Sequence, residues 1–74
     1  MNEVMITKEP TELYKILKFE GLASSGAEAK QVISEGLVKV NGEVEIRKRR
    51  KIVGGDEIAF SDAVIKIVYA GSDA

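Results

Sequence analysis

The chain has 74 residues and no cysteine or histidine; 45% of it is apolar and 31% charged. A chain this short buries only about 60% of the surface its unfolded form exposes, so one thin-cored domain is the most it can build, and disulfides, thiolate or imidazole metal sites and the usual general bases are excluded. The net charge of −1 argues at first against nucleic acid, whose binding is driven by Lys and Arg releasing counterions.

The opening MNEVMITKEP lacks the basic and apolar stretches of a secretory signal, and no later run is long enough for a membrane helix; a cytoplasmic location is expected. Residues 4–6 are a short apolar strand, and Glu9-Pro10-Thr11 breaks the chain and starts a helix over residues 11–20. Leu13, Ile16 and Leu17 form its apolar stripe, Lys15 and Lys18 project from the far side, and Gly21 stops it. Four or five residues later Ser25 and Glu28 have the spacing of a capping box. The second helix repeats the stripe with Ala29, Val32 and Ile33, carries Lys30 and Gln31 outward, and stops at Gly36. The pair reads as a helical hairpin.

The period then changes to two: Val38, Val40, the turn Asn41-Gly42, then Val44 and Ile46, a β-hairpin. Five consecutive cations follow, Arg47, Lys48, Arg49, Arg50 and Lys51. Together they must face water or a polyanion. If extended, the run sends Arg47, Arg49 and Lys51 to one side and Lys48 and Arg50 to the other. Gly54-Gly55-Asp56 is a turn, residues 58–60 and 64–69 are strands, and 71–74 are an expected disordered tail. The expectation is a single α+β domain over 1–74, a two-helix hairpin packed on a small, mainly antiparallel sheet.

Charge distribution overturns the first impression from net charge. Residues 13–53 hold nine basic side chains against five acidic, while the remainder holds two basic against seven acidic. The middle is therefore cationic and the flanks anionic, a pattern that limits indiscriminate polyanion binding.

The ordered set Leu13, Gly21, Ser24-Ser25, Ala29-Lys30, Ile33, Gly36, Val38, Val40-Asn41-Gly42, Val53 and Gly55-Asp56 resembles the S-four RNA-binding domain, also called the αL RNA-binding motif. The resemblance runs over about residues 13–60 and is densest in S-S-x-x-E-A-K-x-x-I-x-x-G-x-V-x-V-N-G. Length and the string R-K-R-R-K-I-V-x-G-D look like the small stand-alone bacterial YbcJ-like group, thought to be RNA-binding and ribosome-associated. The resemblance implies an RNA cleft walled by the second helix and the hairpin. Many members of the wider family carry Arg directly after the Ser, where this chain has Gly26; either the 47–51 run compensates or the cognate RNA differs.

The candidate RNA-binding residues are thus Ser24, Ser25, Gly26, Lys30, Lys39, Asn41, Arg47, Lys48, Arg49, Arg50 and Lys51. A helix start offers N–H groups and partial positive charge to a phosphate, and Arg offers a two-pronged donor where Lys is a point charge. Each has a structural reading as well: Ser25 as a cap, Asn41-Gly42 as turn chemistry, Lys30 as a surface lysine paired with Glu28 or Glu35. Tyr14, Phe19, Phe60 and Tyr69 lie at or near apolar stripes and are read as core, which favours recognition of RNA shape and backbone over base stacking. The expected partners are ribosomal RNA, with transfer RNA or another structured RNA as alternatives, and ribosomal proteins; no membrane, metal or cofactor is implied, and a monomer is expected. The competing reading is a protein-protein assembly module on the ribosome. Neutralising Arg47, Arg49 and Arg50 together is expected to abolish RNA binding and leave the fold intact.

Overall fold

Alternating apolar residues set the sheet. In the computed structural model, which describes residues 2–71, the chain runs through β1 (Asn2–Ile6), β2 (Thr11–Glu12), α1 (Leu13–Phe19), α2 (Gly26–Ser34), β3 (Val38–Val40), β4 (Glu43–Val44), β5 (Lys51–Ile52), β6 (Glu57–Phe60) and β7 (Ala63–Tyr69). Five strands form one sheet in the order β1-β7-β6-β3-β4. All its pairings are antiparallel except β1 on β7. Val38, Val40, Ile58, Ile65 and Ile67 point to one face and are buried, as are Val4 and Ile6 of β1, while Lys39 and Lys66 between them are exposed. That period of two is what a half-buried strand requires.

The helices cover the buried face. Leu13, Ile16 and Leu17 of α1 and Ala29 and Ile33 of α2 join the strand residues in one apolar cluster, each fully buried Leu or Ile contributing roughly 1.5–3 kcal/mol. Both helices end in the same way. The Gly21 and Leu22 N–H groups donate back to the Lys18 and Leu17 carbonyls, and those of Gly36 and Leu37 to Ile33 and Val32. Each is a Schellman stop with its glycine at positive φ, 73° and 79°.

Four expectations from the sequence are corrected. The first helix begins at Leu13 because Thr11–Glu12 stays extended and pairs with Lys51–Ile52 in a second, two-stranded sheet. The connection between helices is six residues, 20–25, because α1 ends at Phe19 and α2 starts at Gly26. The cationic run is not a strand: the Arg50 N–H donates to the Arg47 carbonyl at 3.2 Å, closing a turn, and only Lys51 is in a strand. Phe19 and Tyr69 are 71% and 44% exposed; Phe19 ends α1 about 60° around the helix beyond Ile16, off the stripe that packs on the sheet. The expected tail lies, from Ser72 onward, outside the described residues.

Candidate nucleic-acid interface

Two structural units bring the cations together. The first is the start of α2. Ser25 is its N-cap, accepting from the Glu28 N–H at 3.1 Å, and the Glu28 carboxylate accepts from the Ser24 N–H at 2.7 Å. This satisfies donors that a helix end otherwise leaves unpaired. Gly26 opens the helix, and a Cβ there would lie 3.9 Å from Cε2 of Tyr14. One turn later Lys30 does not pair with Glu28 or Glu35. Its ammonium stands 4.6 Å from the centre of the Tyr14 ring, and Glu35 accepts from Gln31 instead.

The second unit is the cationic turn, and one carboxylate organises it. Glu45, immediately after β4, is 5% exposed. It accepts from the Arg47 backbone N–H, from Arg47 Nε and Nη2, all at 2.9 Å, and from Arg50 Nη1 at 2.7 Å. Hydrogen bonds from Arg47, then Arg50, outweigh the cost of burial and hold the carboxyl well below the usual carboxylate range, while Glu45 in turn raises the Arg47 guanidinium. The turn is thereby folded back on its own hairpin. Its carbonyls point inward as well: Arg50 and Lys48 accept from the Leu13 and Tyr14 N–H groups at 2.9 and 3.2 Å. These are the first donors of α1, whose N-cap Glu12 makes no side-chain bond.

The outward side chains are what remain. Arg49 lies 3.6 Å from Glu12, which also pairs with Lys15 at 3.3 Å. Among the described residues, no ion pair involves Lys30, Lys48 or Lys51. Arg47, Arg49, Arg50 and Lys51 line a shallow depression of about 550 Å³. The Arg49 guanidinium and Lys15 ammonium are 5.8 and 6.0 Å from the Tyr14 ring centre, so this ring joins the cationic turn to the start of α2.

Two predicted residues stand apart from the ring. Lys39 is on the sheet face away from the helices, with Val44 and Ala59 as cross-strand neighbours. Asn41 is committed to the acidic turn: its amide donates to Asp56 at 3.1 Å, its side-chain oxygen accepts from the Glu57 N–H at 2.9 Å, and its own N–H donates to the Glu57 carbonyl at 2.7 Å. With Asn41 and Gly42 at φ 55° and 86°, its role here is that of a type I′ turn.

Sequence reasoning missed Tyr14 and Glu45. Tyr14 lies about 100° round the helix from Leu13, at the border of the apolar stripe next to Lys15, a position that faces the core on one edge and solvent on the other. Glu45 holds the polar place in the alternation Val44-Glu45-Ile46, which marks it as a surface residue; its only cue is that it stands just ahead of five cations. Among the described residues no group of acidic side chains is arranged to hold a metal ion, and no helix is long and apolar enough to cross a membrane.

Residues 4–68 match the family model of the S4 domain. The Escherichia coli (strain K12) protein named "Putative RNA-binding protein YbcJ" is 51% identical over 57 residues, 77% of this chain and 81% of that protein. The YbcJ protein of Shigella flexneri matches at the same identity and coverage. The fold is similar to the solution structure of E. coli YbcJ, with a TM-score of 0.71 and 46% identity over 92% of this chain and 87% of that one. That structure is described as revealing an αL motif involved in RNA-binding.

Proposed function

The chain belongs to the S4 domain family, and on that premise we propose that it is a non-catalytic RNA-binding protein, cytoplasmic and monomeric, that grips structured ribosomal RNA. The single observation that carries this reading is the convergence of Lys30, Arg49 and Lys15 around Tyr14, beside a turn that presents Lys48 and Lys51 with no ion-pair partner among the described residues. Glu12 is shared by Lys15 and Arg49, so cations outnumber carboxylates here, and the excess is stabilised when a polyanion lies across it. Ser24, Ser25 and Gly26 shape the wall from which Lys30 reaches, and Arg47 and Arg50 form the floor over Glu45. Lys39, on the outer face of the sheet, and Asn41, held by Asp56 and Glu57, lie outside this surface.

The relative named for RNA binding and the αL-motif structure support this reading over the alternative of a protein-assembly module. The groove between β1 and α1 offers that alternative little charge complementarity, since Lys8, Lys15 and Lys51 alternate there with Glu12 and Glu20.

Fluorescence-anisotropy titration against ribosomal RNA fragments at several salt concentrations tests the proposal. About four phosphate contacts at ~0.7 each give a slope of log affinity on log salt near −3. Replacing Lys48 and Lys51 by glutamine makes that slope shallower by about 1.4 and leaves the melting temperature unchanged. Salt-independent binding, or a double variant with the wild-type slope, overturns it.

A further inference from the structure

The Tyr14 ring sits in a position that phosphate binding alone does not explain. Three cations lie within about 6 Å of its centre, an attraction the face of a π system supplies. Its inner edge packs on the core. Its outer edge lies beside Gly26, where a Cβ would stand 3.9 Å from Cε2. That separation is ordinary contact, so a larger residue fits at 26 and would extend its side chain across the ring. Glycine is a poor choice for the first turn of a helix. Its effect here is that position 26 sends no side chain over the ring.

What then covers the outer ring face is Lys30, a half-buried, flexible side chain. A cation over an aromatic ring at such a site is worth about two- to five-fold in an equilibrium. A nucleobase stacked on the same ring is worth roughly 5- to 100-fold, so a base displaces the ammonium. The displaced Lys30 and the neighbouring Arg49 are then placed to meet the phosphates on either side of that base.

We infer that Tyr14 is a base-stacking residue and that the surface takes RNA carrying an unpaired nucleotide, as in a bulge, a loop or a strand end, in preference to uniform duplex. The inference rests on the RNA-binding reading above and adds the class of RNA. A base inside a duplex is stacked on both faces and has none to offer Tyr14. Gly26 becomes part of the selectivity: the residue that supplies no phosphate ligand supplies access to the ring.

The test uses the full chain and two RNA hairpins with the same stem, one carrying a single 2-aminopurine bulge and one fully paired. Wild type is expected to bind the bulged hairpin more tightly and to quench its 2-aminopurine fluorescence. Y14L keeps an apolar side chain on the core, yet loses roughly 5- to 100-fold on the bulged hairpin, loses the quenching, and keeps its affinity for the paired one. Y14F retains all three properties. Gly26→Leu, which covers the ring without altering it, reproduces the Tyr14→Leu result. Equal affinity of wild type and Y14L for the bulged hairpin, or equal loss on both hairpins, overturns the inference while leaving RNA binding in place. Failure of wild type to bind either hairpin overturns the RNA-binding reading itself.

Discussion

Replacing Arg47 and Arg50 by glutamine removes both partners of a carboxylate that the fold has taken out of water. Glu45 accepts all four of its hydrogen bonds from these two residues, and three of the four come from their side chains. Stranding one member of a buried ion pair costs about 3–5 kcal/mol. The cost here falls below that range, at about 2–3 kcal/mol, because the Arg47 side chain is 72% exposed and its shortening admits water to the carboxylate. A chain of this size is stable by only about 4–11 kcal/mol, and the loss lowers its melting temperature by roughly 10–20 °C.

Thermal unfolding followed by circular dichroism at pH 7 measures this, and pH supplies a second check. In the wild type Arg47 and Arg50 hold the Glu45 carboxyl below its ordinary value. A lowered pKa contributes stability in full above about pH 4.3 and loses it as pH falls through lower values. In the R47Q/R50Q variant burial acts on the carboxyl alone and raises its pKa, so the sign reverses. That variant gains stability as pH falls from 7 toward 5, where Glu45 leaves the wild type unaffected. Adding Glu45→Gln removes the stranded charge and restores most of the loss at pH 7. A double variant that melts with the wild type at pH 7, or a triple variant no better than the double, refutes the reasoning. The cleaner test of RNA contact is therefore at Lys48 and Lys51, because removing Arg47, Arg49 and Arg50 together is expected to lower stability as well as charge.

Ser25→Ala deletes the cap on α2 and costs about 1 kcal/mol, read as a fall of roughly 4–8 °C in melting temperature; an unchanged melt means Glu28 alone holds the helix start. Gly54→Ala brings a Cβ to 2.9 Å from Cβ of Tyr69 and 3.1 Å from its backbone nitrogen, and costs about 1–3 kcal/mol by overpacking. A lowered urea midpoint with an unchanged slope is the expected result, and an unchanged midpoint shows that β7 yields at no cost.

Local chemistry made most of the fold legible in advance. Ser25 with Glu28, Gly21, Gly36 and Asn41-Gly42 each make the cap, stop or turn that their residue types dictate, and the apolar spacing up to Val40 matches the buried face; beyond the turn it inverts, with Val44 and Ile46 exposed and Glu45 buried between them. The site was less legible, because its decisive contacts join residues far apart in sequence. Nothing near Arg47 in sequence indicates that its turn would lend carbonyls to Leu13 and Tyr14, thirty-odd positions earlier. Whether the run is extended depends on Glu45, to which both Arg47 and Arg50 turn back. Tyr14 was assigned to the core because the stripe rule does not separate a residue in the apolar face from one at its border.

The carbonyls of Lys48 and Arg50 that cap α1 set the timing of recognition. A surface loop of five cations would ordinarily be ordered by its ligand, and that ordering would be subtracted from affinity and delay productive encounters. Here the loop backbone is ordered when the helix forms. If the proposed RNA binding holds, an arriving RNA meets a backbone that is already arranged, association is expected to be governed by diffusion and ionic strength, and variants that loosen the start of α1 are expected to slow capture although they touch no cation.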